Sequence, residues 1–166
     1  TKYSLIAVEK GTLLINMDSQ APNKVVGAWI KEQEPFGEVK LLKPECKYGN
    51  SRFDFYLETA TDKIFIEVKG VTLEEDGIVR FPDAPTERGI KHLEELVACT
   101  KAGYKAAVIF VVQMEGMHHF EPNYKTHPAF AEALKRAQAA GVAVLAYECC
   151  VTPDALAIAK AIPVQL

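Results

Sequence analysis

The stretch YKAAVIFVVQM, from Tyr104 to Met114, is apolar almost without interruption. A strand with one face in water alternates apolar and polar residues, so a run that does not alternate has to be covered on both faces. VAVLAYECC, ending at Cys150, repeats the pattern. Between the two, HPAFAEALKRAQAAG reads as a helix with Pro128 in its first turn and Gly141 at its end. A second helix, from about Thr86 to Ala102, precedes the first run. It is capped by Thr86, closed by Gly103, and buries a stripe of Ile90, Leu93, Leu96 and Val97. Strand, helix, strand, helix, strand is an α/β arrangement, a mixed central sheet flanked by helices.

The remaining segments fill in this frame. KYSLIAVEKGTLLINMDS predicts an N-terminal β-hairpin around Gly11. NKVVGAWIKEQE has Val25, Val26, Trp29 and Ile30 at helical spacing, with Asn23 as N-cap and Pro35 as stop. VTLEEDGIVRFPDAP predicts a strand, and the tail TPDALAIAKAIPVQL fits a short helix or a strand. At 166 residues the chain supports one domain, 1–166, with one substantial core.

Charge and cysteines limit the function classes. A net charge of -3 gives no global attraction to polyphosphate, so nucleic-acid binding would need a local basic surface or a bound cation. Cys46, Cys99, Cys149 and Cys150 lack CxxC spacing and suit neither a disulfide framework nor a zinc site, which fits a reducing cytoplasm. No apolar run reaches the roughly 20 residues that span a bilayer, and no signal-peptide pattern opens the chain. The expectation is a cytoplasmic protein without a membrane partner.

The stretch SRFDFYLETATDKIFIEVKG (Ser51 to Gly70) carries the chemistry. Phe53, Phe55 and Leu57 alternate on one arm of a hairpin and Ile64, Ile66 and Val68 on the other, leaving Asp54, Glu67 and Lys69 on the opposite face. A turn centred between Ala60 and Thr61 pairs Leu57 with Ile64, Phe55 with Ile66 and Phe53 with Val68, and sets Glu58 against Lys63. The same register sets Asp54 across from Glu67, and like charges so placed are destabilising. A divalent cation between them, Mg²⁺ or Mn²⁺, offsets that repulsion. Lys69 beside it can orient a water or stabilise phosphate charge. An acid followed by Glu-x-Lys on the next strand is the chemical core of the PD-(D/E)xK nucleases. The plainer reading is a solvated sheet face on which Glu67 pairs with Lys69 or Arg52.

Other groups are weaker candidates. FPDAPTERGIKH gathers Asp83, Arg88, Lys91 and His92 at a helix N-terminus able to attract phosphate, or forms a capping loop. Lys40, Lys43, Lys47 and Arg52 are the basic concentration, placed to position a nucleic-acid backbone. The histidines of MHHF lack i, i+4 spacing and read as surface residues. Glu32, Glu34 and Glu38 can supply an outlying acid or form a solvated helix end. Cys149 and Cys150 read as small core residues.

PNKVV, ECKYGNSRFDF, IEVKGVTL, FPDAPTERGIKHLEEL and GVAVLAY together resemble the sugar fermentation stimulation protein A family through almost the whole chain. The resemblance implies a restriction-endonuclease-like core of PD-(D/E)xK type with Asp54, Glu67 and Lys69 at the nuclease-motif positions. It also implies DNA as partner and an N-terminal OB-like domain that this chain lacks, hence weak DNA binding by the chain alone. Arg52, Lys47, Arg88 and His92 are the nucleic-acid-binding candidates. Glu45 and Arg52 lie in a matching segment without an assigned role, and His127 stands where the resemblance predicts an acid. Two functions follow: a divalent-metal-dependent nuclease, or a non-catalytic DNA-binding regulator of sugar-utilisation genes that keeps the nuclease fold.

Overall fold

The computed structural model describes residues 6–166; the expected hairpin's beginning, before residue 6, lies outside the described residues. Strands β1 (Ala7–Lys10) and β2 (Leu13–Asn16) pair antiparallel around Gly11, as the sequence predicts. Helix α1 (Ala21–Gln33) begins before the expected cap. Pro22 explains the early start, because its missing N–H and fixed φ suit a first turn, and this places Asn23 inside the helix. The helix stops where Glu34 turns left-handed, one residue ahead of Pro35.

Strands β3 (Leu41–Tyr48), β4 (Ser51–Glu58) and β5 (Lys63–Val71) form an antiparallel meander. The polar, Pro44-containing β3 carries no strand signal in the sequence. It is a sheet edge, where a proline costs no ladder bond and charges discourage further pairing. The segment expected to be one further strand is instead a small hairpin. β6 (Leu73–Glu75) and β7 (Ile78–Phe81) flank Asp76 and Gly77, both at positive φ. With β9 (His119–Pro122) they form a separate three-stranded sheet.

Helix α2 (Glu87–Lys101) is capped by the Thr86 hydroxyl, which accepts from the Gly89 N–H at 2.9 Å. Then come β8 (Lys105–Val112), α3 (Pro128–Ala139) and β10 (Ala143–Thr152), and the tail resolves as strand β11 (Ala155–Ala161). The six-stranded sheet has the order β11-β10-β8-β5-β4-β3, with β5, β8 and β10 parallel at its centre.

The unbroken apolar run serves two cores. Val108, Phe110 and Val112 pack with Leu93, Leu96, Phe130 and Leu134 under α2 and α3. Ala107, Ile109 and Val111 pack on the other face with Val26, Trp29 and Ile30 of α1. Cys149 belongs to this second core, as expected, whereas Cys150, expected in the core too, is exposed. Among the described residues no helix is long and apolar enough to cross a membrane.

Candidate metal and nucleic-acid site

The register between β4 and β5 follows the sequence expectation from Glu58–Lys63 to Phe55–Ile66 and then stops. The expected Phe53–Val68 pair does not form. The Val68 N–H donates instead to Asp54 Oδ2 at 2.7 Å, and the Asp54 N–H to Glu67 Oε1 at 3.3 Å. Two carboxylates thus replace the backbone partners that the opened ladder has lost.

The opening also changes which way the chain faces. Phe53 packs at a tilt against Phe65, ring centroids 4.9 Å apart, in the core under α2 and α3, while Phe55 lies in the α1 core. A regular strand would put both on one side, so the expected uniform alternation of Phe53, Phe55 and Leu57 fails at Asp54. Asp54 leans toward α1, where its Oδ1 accepts from Asn23 Nδ2 at 3.0 Å. Glu67 leans toward α2. Glu67 and Lys69 share a face, as expected, but Asp54 does not lie on it: the two acids meet in the gap between the strands.

Glu67 is 3 % exposed. Burial first, and the facing Asp54 carboxylate second, push its pKa up to about 8, against the pull of Lys69. Lys69 Nζ is 3.7 Å from Glu67 Oε2 and donates to His92 Nδ1 at 2.9 Å. That imidazole nitrogen is also 3.3 Å from Glu67 Oε2. Burial, then Lys69 and Arg88, lower His92 to about 4, so the ring is neutral near pH 7 and can accept from the ammonium. His92 thus contacts both Lys69 and Glu67 from α2, with its side chain 13 % exposed. Arg88 is exposed one helical turn earlier. Glu95, one turn later, accepts from the Ser51 hydroxyl and ties α2 to the start of β4.

Lys47 and Arg52 are cross-strand neighbours at the end of the β3–β4 hairpin, both exposed and without an ion pair among the described residues. They are not in contact with the acidic pair. Lys40 pairs with Glu38 at 3.1 Å, and Glu34 accepts from the Val39 N–H, so those acids close the helix end. Glu45, at positive φ, falls between the Pro44–Phe55 and Cys46–Phe53 pairs of the β3–β4 ladder. His119 is buried against His118 and Glu121, which corrects its reading as a surface residue. The His127 Nδ1 accepts from the Thr86 N–H and joins the starts of α2 and α3.

Three residues escaped sequence reasoning. Asn23 reads as a helix cap and instead holds Asp54. Gly70 directly follows Lys69, and a Cβ there would lie 2.6 Å from Gln113 Oε1 and 2.9 Å from Pro22 Cγ, so only glycine fits. Gln113, nearly fully buried, donates to Asn16 Oδ1 and to the Asp18 carbonyl. It fixes the connection into α1, and thereby Asn23, beside the end of β5. The glycine after EVK was the only visible signal.

The family model described as the sugar fermentation stimulation protein RE domain matches residues 20–155. A sugar fermentation stimulation protein homolog of Clostridium beijerinckii is 58 % identical over the whole chain, which covers 74 % of that protein. One from Desulfitobacterium hafniense is 54 % identical, with 72 % of its length covered. Among solved structures, Pyrococcus furiosus SfsA in complex with Ca²⁺ superposes with a TM-score of 0.87 at 26 % identity, over 97 % of this chain and 71 % of that one.

Proposed function

The chain belongs to the sugar fermentation stimulation protein family, and from that premise we propose that Asp54 and Glu67 hold a divalent cation with which the domain acts on a phosphodiester of DNA. The observation that carries the reading is the buried carboxylate pair in the opened β4–β5 gap. Carboxylate oxygens are the donors that hard cations such as Mg²⁺ or Mn²⁺ take, and a cation would replace the proton that burial and Asp54 hold on Glu67. The related Pyrococcus furiosus protein, solved with Ca²⁺, supports a hard ion.

When bound, the cation supplies charge neutralisation at a phosphate oxygen and a lowered pKa for a coordinated water. The chain's own residues do the rest. Val68 N–H and Asn23 fix the Asp54 carboxylate, so it cannot swing away when a phosphate approaches. His92 holds the Lys69 ammonium next to Glu67, where it can hydrogen-bond an attacking water or the charge that develops on phosphorus-bound oxygens. Arg88, Lys47 and Arg52 provide exposed cations for flanking phosphates, few enough that DNA binding is weak and its salt slope low.

A second reading keeps the domain as a DNA-binding regulator without catalysis. It is favoured by one observation: among the described residues no group of three or more candidate ligands surrounds the acidic pair. Paired assays on wild type, Lys69→Ala and Glu67→Ala separate the two. Lys69→Ala should keep the metal-induced rise in melting temperature while cleavage of labelled DNA falls by orders of magnitude, roughly 10²-fold or more for a group acting in the transition state. Glu67→Ala should lose both. Absence of cleavage in the wild type, with DNA binding retained, would establish the regulator reading, and cleavage undiminished in both variants would refute the assigned site.

A further inference from the structure

A cleft of about 660 Å³ runs along α1 against the β3–β4 hairpin, separate from the Lys69–His92 side of the site. Asn23 and Asp54 line one end of it. Because Asn23 is in the first turn of α1 and hydrogen-bonds Asp54, the cleft ends at the Asp54 carboxylate. From Asn23 to Glu32 it follows ten residues of helix, a rise of about 14 Å.

Its chemistry changes from floor to rim. Its apolar lining has the buried Phe55 as floor, flanked by the half-buried Leu42 and Gly27 and completed by the exposed Pro44 and Ala28. Gly27 keeps it open, since a Cβ there would already lie 3.3 Å from Phe55 Cζ. The rim alternates in sign, with Lys24 and Lys31 beside Glu32 and Glu45, and none of these four forms an ion pair among the described residues. A mixed rim is a poor track for a phosphate backbone, which needs uniform positive charge. It suits a flat ring bearing both amino donors and carbonyl or ring-nitrogen acceptors, because carboxylates accept from exocyclic amines and lysines donate to base oxygens and nitrogens. A nucleobase has that ring.

We propose that this cleft seats one unpaired nucleobase of the strand whose phosphodiester lies at Asp54 and Glu67, so that the preferred ligand of the domain is single-stranded nucleic acid. The inference rests on the phosphodiester reading above and names its substrate class. A base within a duplex is stacked on both faces and presents only its edges, so it cannot reach an apolar floor. A base already unpaired enters without that cost and gains stacking and desolvation against the floor.

The test uses the exposed position Ala28. Ala28→Phe fills the cleft from a solvent-facing helix site, away from Asp54, Glu67 and Lys69, and Ala28→Ser leaves it open. Binding of a fluorescent 12-nucleotide DNA single strand, its duplex and an abasic version of the strand is measured by anisotropy with Ca²⁺, alongside the Ca²⁺-induced thermal shift. The single strand should bind more tightly than the duplex and the abasic strand. Ala28→Phe should weaken single-strand binding by roughly 5- to 100-fold, the contribution of one stacked base. It should leave the thermal shift and duplex affinity unchanged, and Ala28→Ser should behave as wild type. Duplex bound as tightly as single strand, an abasic strand bound as tightly as an intact one, or an Ala28→Phe protein with undiminished affinity would each overturn the cleft while leaving the metal reading intact. No thermal shift and no binding of any DNA by the wild type would overturn both.

Discussion

Strand β5 has two edges, and they do opposite things. Toward β8 it pairs in parallel without a break through eight successive positions, from Ile64–Lys105 to Val71–Val112. Toward β4 it pairs for four, and the ladder then opens where Asp54 and Glu67 stand. The first edge lies in the middle of two cores, and every side chain from Ala106 to Val112 is buried. The second has exchanged backbone bonds for bonds to carboxylates. One strand thus fixes the position of Glu67 and Lys69 from its regular side and exposes the chemistry on its irregular side. A site whose acids repel each other needs such an anchor, because the repulsion has to be withstood by structure elsewhere.

The contrast is most readily broken on the regular edge. Ile109 is completely buried and pairs with Val68 across it. Ile109→Ala removes three of the four side-chain carbons, in a core that α1 covers, and should cost about 2 to 5 kcal/mol in urea unfolding. A loss below 1 kcal/mol would mean that the parallel edge is not what anchors β5.

The regular edge was also the legible one. Unbroken apolar runs, helix caps and closing glycines located α2, β8, α3 and β10, because burial on both faces and capping are local physical demands written in consecutive residues. The hairpin register was legible down to Phe55–Ile66 for the same reason. What lay beyond was not, because the ladder opens through a contact between Asp54 and a backbone N–H fourteen residues away. Alternation treats Phe53 and Phe55 alike, and only tertiary packing sends them to different cores. The edge strand β3 was hidden by its own edge devices, Pro44 and its lysines. The triplet Asp54, Glu67 and Lys69 could be picked out by spacing and resemblance, yet His92 and Asn23, which hold it, belong to helices whose approach no spacing in the hairpin encodes.

On the open edge the first expected effect is a dependence on pH in the absence of metal. Glu67, raised to about 8 from a usual 4.5, keeps a proton in the folded state that the unfolded chain has lost, so stability falls as pH rises between about 4.5 and 8. His92, lowered to about 4 from 6.5, lacks a proton in the folded state that the unfolded chain binds, so stability rises between about 4 and 6.5. The two oppose each other at acid pH, and only the Glu67 fall acts between about 6.5 and 8. In EDTA the wild type should lose on the order of 1 to 2 kcal/mol across that upper window, at most one proton's worth per pH unit. Glu67→Gln should flatten the slope there, and saturating Mg²⁺, which keeps Glu67 deprotonated in the fold as it is in the unfolded chain, should abolish it as well. Parallel slopes in wild type and Glu67→Gln would show that the opened edge holds no stored proton.

The smallest effect, and the sharpest on the comparison, separates two jobs of Asp54. As an acceptor it satisfies the Val68 N–H and the Asn23 amide; as a charge it opposes Glu67. Asp54→Asn keeps an oxygen for the Val68 N–H and removes the charge, so the metal-free protein should gain stability, by a few tenths to about 1 kcal/mol, while losing the metal-induced shift. Asp54→Ala removes both. The relief of repulsion is then set against an orphaned backbone donor, which costs about 1 to 3 kcal/mol, and the net should be a loss. The two substitutions should therefore move the EDTA melting temperature in opposite directions while acting alike on the metal response. If both stabilise, the Val68 N–H finds water or another partner, and the carboxylate is not what terminates the ladder. If both destabilise equally, the charge on Asp54 costs the fold nothing, and the open edge would be a structural bulge rather than a strained site held by its regular neighbour.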